Sequence, residues 1–221
     1  MGTGVIATRR IPKGERLFSL TPACRITART VTPHDPVAAA VAAAVDASIA
    51  GGAAIDASTR ETSILIGFLV HQHFYCEHAP ASAYRDGNHS TPGVAADPAT
   101  RCAWRPYTRS LPTAMASTPS FYTDPVSVEL VRRVPILDTL LRRIDDVVAE
   151  HFVRVRSAAF TTMPGIFGRV SPDNEVLWRA RVKWAFFILS SRAYAARFAT
   201  DAERTLIPLA DAMNHEVRAL A

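Results

Sequence analysis

The residues best equipped for chemistry in this 221-residue chain stand near its end, in the run Leu206-Ile207-Pro208-Leu209-Ala210-Asp211-Ala212-Met213-Asn214-His215-Glu216. An apolar stretch halts at Pro208, resumes, and delivers Asp211, Asn214 and His215 at i, i+3 and i+4. On a helical turn, side chains at that spacing share one face. A carboxylate, an amide and an imidazole side by side offer charge, donors and acceptors to a polar ligand. A short surface helix of mixed polar residues carries the same pattern, so its meaning depends on the surrounding segments.

Three other clusters have chemical potential. Gly2 and Gly4 flank Thr3, and two glycines one residue apart let a backbone approach a ligand closely, although ordinary turn glycines look the same. Ser190-Ser191-Arg192 interrupts the apolar part of a strong helical pattern. An arginine there either snorkels to the surface or holds an anionic group such as a carboxylate. His71, His73, Cys76 and His78 crowd one region. His71 and His73 are two apart and point to different helix faces, and no second ligand pair follows at finger spacing, so no metal is expected.

The elements that must position these residues follow from pattern and punctuation. Residues 2–20 read as strand, turn and strand, with Val5-Ile6-Ala7, a turn at Pro12-Lys13-Gly14-Glu15, and Leu17-Phe18. Residues 36–57 are alanine-rich and helical, stop at Gly51-Gly52, and read as a solvent-facing helix or a low-complexity insert. Residues 59–77 suit a buried helix capped by Ser58 or Thr59, with Ile64, Leu65, Phe68 and Leu69 at helical spacing. Residues 79–102 read as loop, and Trp104, Tyr107 and Leu111 between prolines read as an irregular segment packed through large apolar side chains. Residues 126–156 form an amphipathic helical region broken at Pro135, with Asp138 and Arg142 paired at i, i+4. Residues 161–175 return to loop, and 176–198 form the strongest helix, with Leu177, Ala180, Trp184, Phe187, Ile188 and Tyr194 in register.

Composition narrows the classes. Hydrophobic content of 48% supplies a core, and the net charge of +5 is carried almost wholly by scattered arginines, since Lys13 and Lys183 are the only lysines. No dense basic stripe with interleaved aromatics appears, so direct nucleic-acid binding is not expected. No run approaches the length of a membrane span, and no membrane association is expected. The odd set Cys24, Cys76 and Cys102, without CxxC spacing, argues against a disulfide framework and for an intracellular, reducing compartment. Cytoplasm, nucleus and plastid are not distinguished.

Taken in order, these segments resemble the SET-domain protein methyltransferases, in the branch that includes the Rubisco large-subunit lysine methyltransferase and the actin-histidine methyltransferase. GTGVIATRRIPKGERLF resembles the opening SET hairpin. SILIGFLVHQHFYCEHAPASAY, then CAWRPYTRSLP and TPSFYTDPVSVELV, resemble that branch's helical insertion. WAFFILSSRAY resembles the helix carrying the Ser/Thr-Arg pair, and LIPLADAMNHE resembles the pro-leu-x-asp-x-x-asn-his segment. The resemblance implies an α+β fold: N-terminal SET hairpins over 1–30, a mostly helical insertion over 31–175, and a SET core over 176–221.

The resemblance also implies S-adenosyl-L-methionine as methyl donor and a protein lysine, or histidine, as acceptor, with no metal. Gly2, Thr3 and Gly4 match the loop along the donor's methionine part. Ser191 and Arg192 match the pair near its carboxylate, and Asp211, Asn214 and His215 match the segment that holds it. His215 is then positional and not a general base. The chain stops six residues after His215, ahead of the strand-borne tyrosine that lines the family's transfer channel. The expectation is a truncated catalytic unit with no catalytic residue of its own, inactive by itself; the alternative is a catalytically incomplete SET-like module that binds proteins.

Overall fold

Every position from Thr62 to Val70 is buried. A helix with no exposed face must be enclosed by other elements, and that requirement sets the architecture. The computed structural model describes residues 8–16, 19, 21, 24–78, 102–113, 115, 118–196, 203–208 and 210–212. Helices α1 (Ala28–Val31), α2 (Pro36–Ala50), α3 (Ala57–Val70), α4 (Arg105–Ser110), α5 (Pro125–Arg132), α6 (Pro135–Val155), α7 (Pro164–Phe167) and α8 (Pro172–Arg192) precede strands β1 (Tyr194–Ala196) and β2 (Glu203–Thr205). The buried helix is α3. It packs on α2, α8, α6, α1 and β2.

Each neighbour approaches α3 for a local reason. Asp56 starts α3 by accepting the Thr59 amide at 2.6 Å, which places the cap two to three residues ahead of Ser58 or Thr59. The alanine-rich α2 is not a solvent-facing helix: Val37, Ala38, Val41, Ala42 and Val45 are buried. Its small side chains permit a close approach, such that a Cβ on Gly67 would lie 3.0 Å from Val41 Cγ2. The helix ends at Gly51-Gly52 as expected, with Gly52 at φ +95°. Pro135 separates α5 from α6, and Arg142 Nε donates to Asp138 at 2.8 Å. The buried residues of α6, Val148, His151, Phe152 and Val155, all belong to its second half. There Phe160 stacks near Phe167 and Trp178, with ring centroids 4.7 and 4.9 Å away.

Two short helices occupy segments expected to be irregular: α4 within 103–112 and α7 within 161–175. The strands amount, among the described residues, to an antiparallel ribbon with Tyr194 opposite Thr205 and a bridge between Ile26 and Leu206. The first turn forms where expected, with the Glu15 amide donating to the Pro12 carbonyl at 3.1 Å and Gly14 at φ +88°. The apolar runs flanking it, at 5–7 and 17–18, lie outside the described residues. The described chain is therefore mostly helical with a small β component. One hydrophobic core joins Ile26, Ile64, Phe160, Trp178 and Leu206 across the boundaries expected near residues 30 and 175. Cys76 and Cys102 form a disulfide with Cα atoms 5.8 Å apart, contrary to the expectation from the odd cysteine count; Cys24 is the free thiol. Local spacing misses this pair because 26 residues separate its members. No helix among the described residues is long and apolar enough to cross a membrane.

Two buried polar clusters pin the helices. Asp35 Oδ1 caps α2 by accepting the amides of Val37 and Ala38 at 3.0 and 2.9 Å. Its other oxygen meets His71 Nδ1 at 2.7 Å and accepts from Gln72 Nε2 at 2.9 Å. His151 Nδ1 meets Ser63 Oγ at 2.9 Å, joining α6 to α3. Burial, then the nearby Arg154 charge, lowers the His151 pKa from 6.5 to about 4.

The two clusters predict different defects. Asp35→Ala strands buried donors and removes a cap, and we expect a loss of about 3–5 kcal/mol in urea unfolding. A loss below about 1 kcal/mol would refute that role. For His151 the unfolded chain takes up the proton first on acidification. Its contribution is complete above pH 6.5 and declines as the pH falls towards about 4. His151→Gln should therefore flatten the unfolding free energy against pH in that window, by up to about 3 kcal/mol relative to the parent. Equal slopes in the two proteins would contradict it.

Candidate functional site

The candidate site forms where α8 ends. Arg192 is the last residue of that helix, and the chain then turns into β1. Its Nη1 donates to the Asp211 carbonyl at 3.2 Å and lies 3.6 Å from Asp211 Oδ2. Tyr194, two residues on, donates its hydroxyl to the Ala210 carbonyl at 2.9 Å. The short 3-10 turn Ala210–Ala212 is thus held through two successive main-chain carbonyls by the end of one helix and the strand after it. Such carbonyls need partners in a part-buried turn, and the two side chains supply them.

The Asp211 carboxylate is held from a third direction. Tyr107 Oη donates to Asp211 Oδ2 at 2.6 Å, across 104 residues of sequence. Burial, and then the bond to Asp211, push the Tyr107 phenol above its usual range, so it stays protonated and donates. The Asp211 side chain is 2% exposed and that of Arg192 19%. The carboxylate is therefore enclosed, while the guanidinium borders the surface. The remaining N–H groups of Arg192 have no other hydrogen-bond partner among the described residues.

Tyr107 reaches Asp211 because α4 is fastened on several sides. His73 Nδ1 lies 2.7 Å from the Thr108 carbonyl, which can only accept, so the proton sits on Nδ1. Burial, countered in part by that bond, and then the charges of Arg105, Arg181 and Arg109, hold the His73 pKa below 6.5. Its ring lies 4.4 Å from those of Phe74 and Trp184, and Trp184 Nε1 donates to the Pro112 carbonyl at 2.8 Å. Glu77 pairs with Arg105, and with Arg109 at 2.9 Å. Together with Leu111, buried in the core, these contacts present Tyr107 at a fixed height.

The structure therefore brings together Arg192 and Asp211 from the expected set. It does not bring in Ser191, whose hydroxyl donates back to the Phe187 carbonyl at 2.8 Å. Gly2, Thr3, Gly4, Asn214 and His215 lie outside the described residues. The histidine cluster is divided between separate tasks, His71 on Asp35 and His73 on Thr108. Tyr107 was legible only as an apolar anchor. The one available signal was that a buried tyrosine hydroxyl needs a partner, which does not say which.

Tyr107→Phe leaves the enclosed carboxylate with Arg192 as its remaining side-chain partner among the described residues. We expect about 1.5–3 kcal/mol lower stability, the range for hydrogen bonds to charged groups, and much of the loss absent when the change is made on Asp211→Asn. Additive effects in that double-mutant cycle would show the two side chains to be uncoupled. Comparison of the chain with protein-family models, curated proteins and solved structures finds no match.

Proposed function

We propose that this chain carries the methyl-donor site of an S-adenosyl-L-methionine-dependent protein methyltransferase of SET type, acting on a lysine or histidine nitrogen. The observation that carries the reading is the meeting of Arg192 and Asp211. Two segments singled out separately, for their likeness to the donor-holding parts of that family, lie 3.6 Å apart. Their unequal burial gives them different work. Asp211 is enclosed and already engaged by Tyr107 and Arg192, so it is a positioning residue. Arg192 has donors left over at the surface, in the planar arrangement that suits a carboxylate. The amino-acid end of the donor supplies such a carboxylate.

When bound, the donor supplies a sulfonium-activated methyl group. The chain's contribution is orientation: a guanidinium that fixes one end of a long ligand lowers the entropy cost of aligning the other end with an incoming nitrogen. Arg192 can do this because the Asp211 turn and Tyr194 settle its surroundings before any ligand arrives. The proposal extends to Asn214 and His215 on the same segment, to the Gly2-Thr3-Gly4 loop, and to a SET-type β core built on the Ile26–Leu206 bridge. A lysine acceptor must be neutral to attack, which a dry channel favours by disfavouring the ammonium. Protein substrates fit this chemistry.

Titration calorimetry of the intact chain with S-adenosyl-L-methionine tests the site. Arg192→Lys keeps the charge and loses the fork, so binding should weaken by about tenfold or more with little change in thermal midpoint. Asn214→Ala should weaken it as well. Absence of binding by the parent chain, or parent-like affinity in both variants, would defeat the assignment.

A further inference from the structure

The Cys76–Cys102 disulfide lies a short step from the candidate site. Cys76 closes the π-helical turn His71–Tyr75, its amide donating to the His71 carbonyl at 2.9 Å. Cys102 leads into α4, its carbonyl accepting the Arg105 amide at 3.0 Å. The bond therefore ties the turn that carries His73 to the start of the helix that carries Tyr107. Tyr107 is the third residue of that helix and donates to Asp211 Oδ2. Cys76 is buried and Cys102 half-buried, so a thiolate from solution reaches the bond on the Cys102 side.

The other ties on α4 are unequal at its two ends. Past Tyr107, Thr108 and Leu111 are buried, His73 donates to the Thr108 carbonyl, and Trp184 donates to the Pro112 carbonyl. Ahead of Tyr107, the ties among the described residues are the disulfide, the packing of half-buried Trp104 on the core, and the ion pair of Glu77 with Arg105. The Glu77 side chain is 49% exposed, and an ion pair with so wet a partner contributes little. Glu77 also follows Cys76 directly, so the disulfide helps to set where that carboxylate stands. A six-residue helix does not hold its shape alone. With the disulfide open, the first turn of α4 loses its covalent tie while the His73–Thr108 bond stays as a pivot behind it.

We propose that Cys76–Cys102 is a thiol–disulfide switch that sets how tightly Tyr107 holds the Asp211 turn beside Arg192. Closed, it keeps the phenol on the carboxylate; open, it lets the first turn of α4 fray and the phenol leave. The reductant is a dithiol. One of its thiolates bonds to Cys102 Sγ, and the Cys76–Cys102 bond breaks with its electron pair on Cys76 Sγ. The second thiolate then closes the reductant's own disulfide and releases Cys102. Two electrons and two protons pass to this chain, which gains two thiols, and the reductant ends as one disulfide. The proposal rests on the methyl-donor reading only for the ligand whose binding the switch would regulate.

The test compares the intact chain before and after treatment with dithiothreitol. A thiol count in denaturant should find one thiol before, Cys24, and three after. Hydrogen exchange read by mass spectrometry should then run about tenfold faster or more over 102–110 and 207–212, while α3 and α8 keep their protection. Reoxidation should restore the slow exchange. Cys76→Ser with Cys102→Ser should match the reduced chain and ignore dithiothreitol. Calorimetric affinity for S-adenosyl-L-methionine should fall by about threefold or more on reduction. A chain that binds no donor in either state defeats the methyl-donor reading alone, because the exchange comparison uses no donor. Unchanged exchange over 207–212 on reduction, even with a lower thermal midpoint, makes the bond a structural staple and overturns the proposal. So does protection lost evenly over α3 and α8, or a thiol count that dithiothreitol does not change.

Discussion

The enclosed carboxylate of Asp35 is the interaction on which the rest of the structure depends. It stands at the start of α2 and against the end of α3, and one side chain serves both, capping the first helix and holding His71 and Gln72, which directly follow the second. A buried charge is tolerable only when its hydrogen bonds are complete, and completing them requires these helices at one relative position. The close approach of Gly67 to Val41 sets the same register through packing, and the carboxylate fixes it at the helix ends. From that point the chain leads outward in a few steps. His71 is the first residue of the π-helical turn His71–Tyr75; His73 on that turn donates to the Thr108 carbonyl; the neighbouring Tyr107 donates to Asp211; and Asp211 meets Arg192. A core polar group and a candidate ligand group are thus ends of one mechanical path.

Long patterns were readable ahead of the structure and short ones were not. The spans of α2 and α3, the stop at Gly51-Gly52, the break at Pro135 and the Asp138–Arg142 pair follow from periodicity or punctuation that extends over several turns, whereas α8 runs Pro172–Arg192 and not 176–198, its Ser171 cap starting it earlier and Tyr194 belonging to β1. Helices α4 and α7 span little more than one turn, too short for a hydrophobic period to declare itself. The alanines of α2 read as solvent-facing because alanine is silent about burial, whereas the valines interspersed among them carried the signal. The Cys76–Cys102 pair escaped for a different reason: an odd cysteine count says that one thiol is left over, not that none are joined.

The candidate site shows the same division. Arg192 and Asp211 stand 19 residues apart, with a short ribbon between them. Their meeting is nearly local, and so the order of segments suggested it. The Tyr107 contact spans 104 residues and depends on His73 after α3, Trp184 of α8 and the Pro112 carbonyl after α4 acting together. No local pattern encodes a contact of that kind. A sequence shows that a tyrosine has an apolar ring to bury; only the fold shows which acceptor its hydroxyl finds. Ser191 is the converse case. It sits beside Arg192 in sequence, but on a helix adjacent residues diverge by about 100°, and its hydroxyl turns back to its own backbone.

The arrangement Tyr107–Asp211–Arg192 also has a polarity. A neutral donor stands at the inner side, a carboxylate in the middle, and a guanidinium at the surface. Had the enclosed residue been the arginine, its donors would be consumed internally and the site would offer an anion nothing. With the carboxylate enclosed, Nη1 of Arg192 is anchored beside Asp211, and the Arg192 side chain keeps 19% of its surface exposed. The phenol matters to this polarity because a second cation in its place would share the carboxylate and loosen the hold on Arg192. A neutral hydrogen bond steadies the anion without weakening its attraction for the one cation beside it.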